Sequence, residues 1–278
     1  MKKRHWLITG ISSGLGKALA EAVMAHGDFV IGTFRTQDEA DHFNKNSTNK
    51  GHAYVLDIRD MDGIDALVST LNHSYDTIDI LVNNAGVGFI GAVEEASIEE
   101  VREVFETNVF GTLKLTQEIL PLMRQQQQGH IIQISSHGGI KAFAGFGIYN
   151  ASKFALEGFS EALAQEVEPL GIKVTIVEPG PFRTNFAASG LREAKCIISD
   201  YNDTAGTFRN KLKGVHGKQE GDPNKAALAI IDQVNTEAPS LRLPLGKTAV
   251  LTIGMKLKSV TDDLERHRVT AEQAIYVK

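Results

Sequence analysis

Cysteine is all but missing: Cys196 is the only one in 278 residues. A chain with a single thiol forms no intrachain disulfide and builds no cysteine-based metal cluster, which fits a reducing compartment. The nine histidines include no His-x-x-x-His pair, so the usual zinc signature is also lacking and no metal is expected. Positive charge is not in excess either, since the net charge is −5. A nucleic-acid surface is therefore not expected. Long apolar runs are absent, none reaching the roughly 18 residues of a membrane span. The opening Met1-Lys2-Lys3-Arg4 has the basic start of a signal peptide, but the apolar run after it breaks at Thr9-Gly10 and gives way to Ser12-Ser13. A cytoplasmic protein is expected.

What is present is ordinary globular composition, 42% hydrophobic and 23% charged, enough for a sizeable core. Short apolar runs alternate with helical patterns: residues 6–8, 29–31, 52–56, 78–82, 131–134 and 174–177 against 15–25, 61–73, 98–124 and 149–169. The runs show no polar alternation, as expected of parallel strands covered on both faces. The predicted fold is α/β, a doubly wound parallel sheet of Rossmann type, forming one domain over residues 1–278. Ligands of such sheets bind beyond the carboxyl ends of the strands. The rhythm fails over residues 183–222, a segment long enough to predict a substrate-binding loop or lid. It returns at 223–234, where Pro223 after Asp222 suits a helix start, and a last helix is predicted over 248–268.

Tyr149 and Lys153 are one helical turn apart, with Ser136 thirteen positions upstream. A phenol, an ammonium and a hydroxyl together can handle a proton. A free tyrosine titrates near pH 10, so a neighbouring cation is needed to make its phenolate accessible, and Lys153 is placed to lower it. His137 beside Ser136 invites a Ser-His hydrolase reading, but adjacent strand residues point to opposite faces.

Thr9-Gly10-Ile11-Ser12-Ser13-Gly14-Leu15-Gly16 follows the first strand and opens the first helix, the context of a phosphate-binding loop. With Asn83-Asn84-Ala85-Gly86, Tyr149-x-x-x-Lys153 and Pro179-Gly180-x-x-x-Thr184 in order, the chain resembles the short-chain dehydrogenase/reductases, most strongly over residues 5–185. That resemblance implies Asn108, Ser136, Tyr149 and Lys153 as a catalytic tetrad. It also implies that Gly10, Ser12, Ser13, Gly14, Leu15, Gly16, Asp57, Asn84, Ala85, Gly86, Pro179, Gly180 and Thr184 meet the nicotinamide cofactor, Tyr149 and Lys153 serving both purposes. Asn108 is implied to order a water that relays protons to Lys153, and a homodimer or homotetramer is implied through the helices at 98–124 and 149–169.

At the end of the second strand the acid of an NAD site is missing, and Phe34-Arg35 stands there instead. A carboxylate would repel a 2′-phosphate, whereas Arg35 can bind one, so NADP is expected over NAD. The expected activity is reduction of a carbonyl, or the reverse oxidation, on a hydrophobic small molecule. Phe143, Phe146, Phe182 and Phe186 are candidates for its pocket. A dinucleotide-binding sensor without turnover is the alternative, and the joint presence of Tyr149 and Lys153 speaks against it.

Overall fold

The computed structural model describes residues 3–47, 49–187, 190–215 and 217–276. Its centre is a seven-stranded sheet in the order β3-β2-β1-β4-β6-β7-β9, with every neighbouring pair parallel. The strands are β1 (His5–Ile8), β2 (Phe29–Phe34), β3 (Gly51–Val55), β4 (Ile80–Asn83), β6 (Gly129–Ile134), β7 (Ile172–Pro179) and β9 (Arg242–Leu245). Alternate side chains go to opposite faces, so each apolar strand feeds two cores. Trp6 and Ile8 join Leu19 and Val23 of α1 (Gly14–Ala25) and Ile230 and Ile231 of α8 (Pro223–Asn235). Leu7 joins Leu67 and Leu71 of α3 (Met61–Ser74), Leu115 and Ile119 of α5 (Gly111–Gln126) and Leu163 of α6 (Gly147–Val167).

The expected doubly wound sheet is found, with several elements the residue patterns do not announce. The chain runs β1 to β3 outward on one side, then returns to place β4 on the other side of β1, which opens a crevice at the carboxyl ends of β1 and β4. The helix predicted over 98–124 is three pieces: α4 (Ile98–Phe105), a π-helical turn (Glu106–Phe110) and α5. Single π turns commonly sit at functional sites, and this one carries Asn108. Edge strand β9 contains Pro244, which an edge tolerates and an interior strand does not. Helix α2 (Gln37–Asn46) buries only Ala40, so its polar sequence has little periodic signal.

The segment 183–222 is not structureless. It holds β8 (Leu191–Glu193), paired in parallel with β5 (Gly88–Ile90), and α7 (Thr207–Gly214); residues 188, 189 and 216 lie outside the described residues. Arg209 of α7 reaches the buried Glu95 at 2.6 Å, and Glu95 also accepts from the Ala92 and Ile198 amides. The long helix α9 (Lys247–Gln273) ends the described chain. No helix among the described residues is long and apolar enough to cross a membrane.

Candidate active site

A cleft of about 790 Å³ opens at the carboxyl ends of the strands, and most of the residues singled out in the sequence line it. One end is built by the glycine loop. Gly10 (φ 68°) and Gly14 (φ 61°) hold left-handed backbone that a side chain would strain. The Gly10 and Ile11 amides donate to Thr33 Oγ1 and O, both at 3.1 Å, pinning the loop to β2. Helix α1 begins at Gly14 with no side-chain cap and no acid in its first turn. Its first amides and positive dipole end are left for an anion, and Ser12, Ser13 and Leu15 complete the wall.

Asn84 and Gly16 serve this loop from behind. The Asn84 amide group donates to Thr9 O (2.8 Å) and Gly10 O (2.9 Å), while Thr9 Oγ1 accepts from the Asn84 and Ala85 amides. Gly16 does not line the cleft. A Cβ there would fall on the Asn84 amide and 2.5 Å from Gly10 O. Gly16→Ala is accordingly expected to displace the loop, weakening dinucleotide binding by about 1–3 kcal/mol as overpacking does. Titration of nicotinamide fluorescence would read it, and an unchanged Kd would show the loop tolerates the methyl.

At the β2 and β3 ends, Arg35 is exposed on the cleft wall beside Asp57 and Arg59. Arg59, not singled out in the sequence, grips Asp57 at 2.6 Å, and that guanidinium holds the carboxyl below its usual range. The Asp57-x-Arg59 spacing was the available signal. At the far end, Pro179 closes β7, the Gly180 amide donates to Leu245 O at 2.9 Å, and Thr184 stands over Gly14.

The proton-handling groups meet in the middle. Tyr149 and Lys153, one turn apart near the start of α6, are both buried against the cleft. Lys153 Nζ donates to Ile134 O at 2.8 Å, which leaves further N–H donors toward the cleft. Ser136 Oγ accepts from the Gly138 amide at 2.9 Å, so its own proton remains for another acceptor. Burial pushes the Tyr149 phenol up to about 12, opposed by the Ser136 hydroxyl. Burial brings the Lys153 ammonium down to about 8, opposed by Glu157. Desolvation is the largest cause for both groups, raising the phenol and lowering the ammonium.

Asn108 lies off the cleft wall, fully buried. Its side chain bonds both backbone groups of Val87 at 2.9 Å and donates to Ser152 Oγ at 3.0 Å, and Ser152 donates to Tyr149 O. It ties the loop just before β5 to the helix turn bearing Tyr149.

Beneath Lys153, Glu157 is buried and pairs with Arg242, which also holds Glu178 at 2.7 Å and Glu161 at 2.8 Å. Glu157→Gln removes a charge that supports the ammonium. The rate of the wild-type protein is expected to fall as pH rises through about 8, where Lys153 loses its proton. In the Gln variant that limb is expected to move roughly one unit toward acid. An unmoved limb in kcat/KM profiles would disconnect Glu157 from Lys153.

The hydrolase reading fails on geometry. His137 Nδ1 faces Thr252 Oγ1 at 2.9 Å, and burial brings its ring down to about 4. Gly10-Ile11-Ser12-Ser13-Gly14 has the spelling of a hydrolase elbow, but no histidine bonds Ser12 among the described residues. Phe143, Phe146, Phe182 and Phe186 all line the cleft, joined by Phe208 of α7, whose ring stacks on Phe143 with centroids 6.2 Å apart. Phe208 was hidden in a polar segment with no periodic pattern.

An uncapped helix start over a left-handed glycine loop, at the reversal point of a parallel sheet, defines a dinucleotide-binding α/β protein. Residues 4–195 match the family model described as short chain dehydrogenase. The chain is 34% identical to 3-ketodihydrosphingosine reductase of Bacteroides thetaiotaomicron, over 99% of this chain and 100% of that protein. It is 36% identical to the NADPH-dependent 3-dehydrocapnine reductase of Ornithobacterium rhinotracheale, over 72% of each. The crystal structure of a short-chain dehydrogenase from Streptomyces avermitilis matches with a TM-score of 0.93 at 41% identity, covering 99% of this chain and 100% of that one. The chain belongs to the short-chain dehydrogenase family and is an NAD(P)-dependent oxidoreductase.

Proposed function

We propose that this protein is an NADPH-preferring reductase of ketones carried on hydrophobic molecules, running the secondary alcohol oxidation in reverse. The observation that carries the reading is the cleft itself, where a phenol, a hydroxyl and a buried ammonium share one wall with an anion-ready helix start. The bound dinucleotide supplies hydride. Gly10, Ser12, Ser13, Gly14 and Leu15 hold its pyrophosphate, Arg35 its 2′-phosphate, with Asp57 at the adenine side and Pro179, Gly180 and Thr184 at the nicotinamide side.

Tyr149, protonated throughout the neutral range, donates its proton to the substrate oxygen as charge develops there. Ser136 donates a hydrogen bond to the same oxygen and fixes its position. Lys153 presents its charge to the phenolate left behind and, with its remaining donors, to the cofactor ribose. Asn108 positions the Tyr149 turn through Ser152. A phenol held neutral by burial suits the acid role in reduction.

The aromatic wall of Phe143, Phe146, Phe186 and Phe208, with Leu212 and Val215, accepts an apolar chain. Lys211 and Lys218 on the same lining favour a polar or anionic head. The relative named for a 3-keto substrate and the one named as NADPH-dependent agree with this assignment. Residues 183–222 serve as the substrate cover, anchored by Glu95–Arg209. The reading takes residues 1–278 as one domain acting in the cytoplasm, as a homo-oligomer.

The test is fluorescence titration with NADPH and NADH, then oxidation of the bound nucleotide on adding a panel of ketones of increasing chain length. Tight NADPH binding with turnover that improves with chain length is expected. Binding without turnover on any ketone would favour the sensor alternative.

A further inference from the structure

His137 lines the cleft directly after Ser136, yet no step of carbonyl reduction uses it. Its surroundings fix what the ring presents. Thr252 Oγ1 lies 2.7 Å from Thr248 O and 2.9 Å from His137 Nδ1. Two oxygens that close need a proton between them, and the Thr252 hydroxyl has only one. The proton on the second contact therefore belongs to the ring, and Nδ1 carries it. Burial keeps the imidazole neutral at pH 7, its titration brought down to about 4. A neutral imidazole has a single N–H, so Nε2 is left as a bare lone pair. No group among the described residues donates to it.

This lone pair belongs to a closed circle of side chains. From His137 the rings run to Phe143 (5.1 Å between centroids), Phe208 (6.2 Å), Phe146 (5.4 Å) and Tyr149 (4.4 Å). Ser136 completes it, because Ser136 Oγ and the Tyr149 ring lie 3.2 and 3.6 Å from one point, the place of a Cβ on Gly138. The polar side-chain groups of the circle are two hydroxyl donors and one acceptor. Ser136 and Tyr149 converge on the carbonyl oxygen, while His137 can only receive a hydrogen bond. An apolar group laid against Nε2 strips its water and returns nothing, whereas a donor on the substrate satisfies it.

Charge selects the kind of donor. The lining here carries Lys153, Lys211 and Lys218 against Glu220, Arg192 being matched by Glu103, and Lys141 stands 5.9 Å from the Phe143 ring centre. The excess is positive, which disfavours an ammonium and leaves a neutral hydroxyl. Resting on the reductase reading above, we infer that His137 is a specificity residue whose Nε2 accepts a hydrogen bond from a substrate hydroxyl. Because Ser136 and His137 are consecutive, that hydroxyl sits one or two carbons from the ketone, and the substrate class is the apolar hydroxy ketones. Thr252 is the positioning residue that holds the acceptor tautomer.

The test is steady-state kinetics of the full chain with NADPH on matched long-chain ketones bearing a hydroxyl, a methoxy group or hydrogen at the same carbon. The hydroxy ketone is expected to exceed the other two in kcat/KM by about five- to tenfold. His137→Phe is expected to abolish that ratio, whatever its overall rate, and His137→Gln, which keeps an acceptor oxygen, to restore part of it. Thr252→Val frees the ring to carry its hydrogen on Nε2, so methoxy and hydroxy ketones are expected to become alike. Thr252→Ser is expected to keep them apart, and this pair decides the matter even should the His137 variants fold poorly. Equal rates on the three ketones in the wild type, or a ratio retained in His137→Phe, overturn the inference and leave the reductase standing. So does a methoxy ketone equal to the hydroxy ketone in the wild type, or an amino ketone that outruns it. NADPH binding without turnover of any ketone defeats the reductase reading itself, and this inference with it.

Discussion

Tyr149→Phe is expected to lower kcat for ketone reduction by about 10³-fold, within the range that a positioned general acid supplies, while leaving NADPH binding nearly intact. The substitution deletes one oxygen and keeps the ring, which packs against Phe146 (4.4 Å between centroids) and Phe186 (5.7 Å). The fold should therefore be unaffected, and loss of rate is attributable to the proton. The neighbours of the phenol explain the size. Ser136 can position the substrate oxygen but is satisfied as an acceptor by Gly138. Lys153 already donates to Ile134 O at 2.8 Å, so one of its N–H donors is committed away from the substrate oxygen. His137, the other titratable ring in reach, faces Thr252 and is uncharged at neutral pH. Single-turnover oxidation of bound NADPH, with the ketone in excess, separates chemistry from product release. A variant retaining more than about a tenth of the wild-type single-turnover rate would remove Tyr149 from the acid role.

The sheet and the loop were readable in the sequence because they rest on local rules. Unbroken apolar runs such as Ile131–Ile132 and Ile80–Val82 mark strands covered on two faces, and Gly10 and Gly14 mark backbone that only glycine adopts easily. What escaped depends on contacts made far along the chain. The π turn at Asn108 interrupts a seamless helical pattern because Asn108 must reach Val87 and Ser152, partners that no periodicity reveals. Strand β9 was hidden by Pro244, which reads as a breaker until the strand is known to lie at the sheet edge. The short helix α7 shows its reason only when Arg209 meets Glu95 and Phe208 meets Phe143. The Tyr149–Lys153 spacing correctly predicted proximity. It carried no information on burial, and burial sets the direction of both titrations.

Arg35→Asp is expected to reverse the cofactor choice, shifting the ratio of kcat/KM for NADPH over NADH by about 10²–10³. Two effects of the same sign add. Loss of charge-assisted hydrogen bonds to the 2′-phosphate removes about 1.5–3 kcal/mol from NADPH alone. The new carboxylate then repels that phosphate, while on NADH it can accept from the ribose hydroxyls as an acid at this strand end does. Arg35 rather than Arg59 carries the expectation because the two cations are differently engaged. Arg59 is clamped on Asp57 by paired hydrogen bonds of 2.6 to 3.2 Å, and Asp57 is held ionised by it. Arg35 has no such partner among the described residues and stands at the cleft edge just past β2. Steady-state kinetics with both nucleotides on one ketone, for Arg35→Asp beside Arg59→Ala, tests the division. A ratio that moves less than about threefold in Arg35→Asp but collapses in Arg59→Ala would transfer phosphate recognition to Arg59, and Asp57 would then act as the latch that releases it when the dinucleotide arrives.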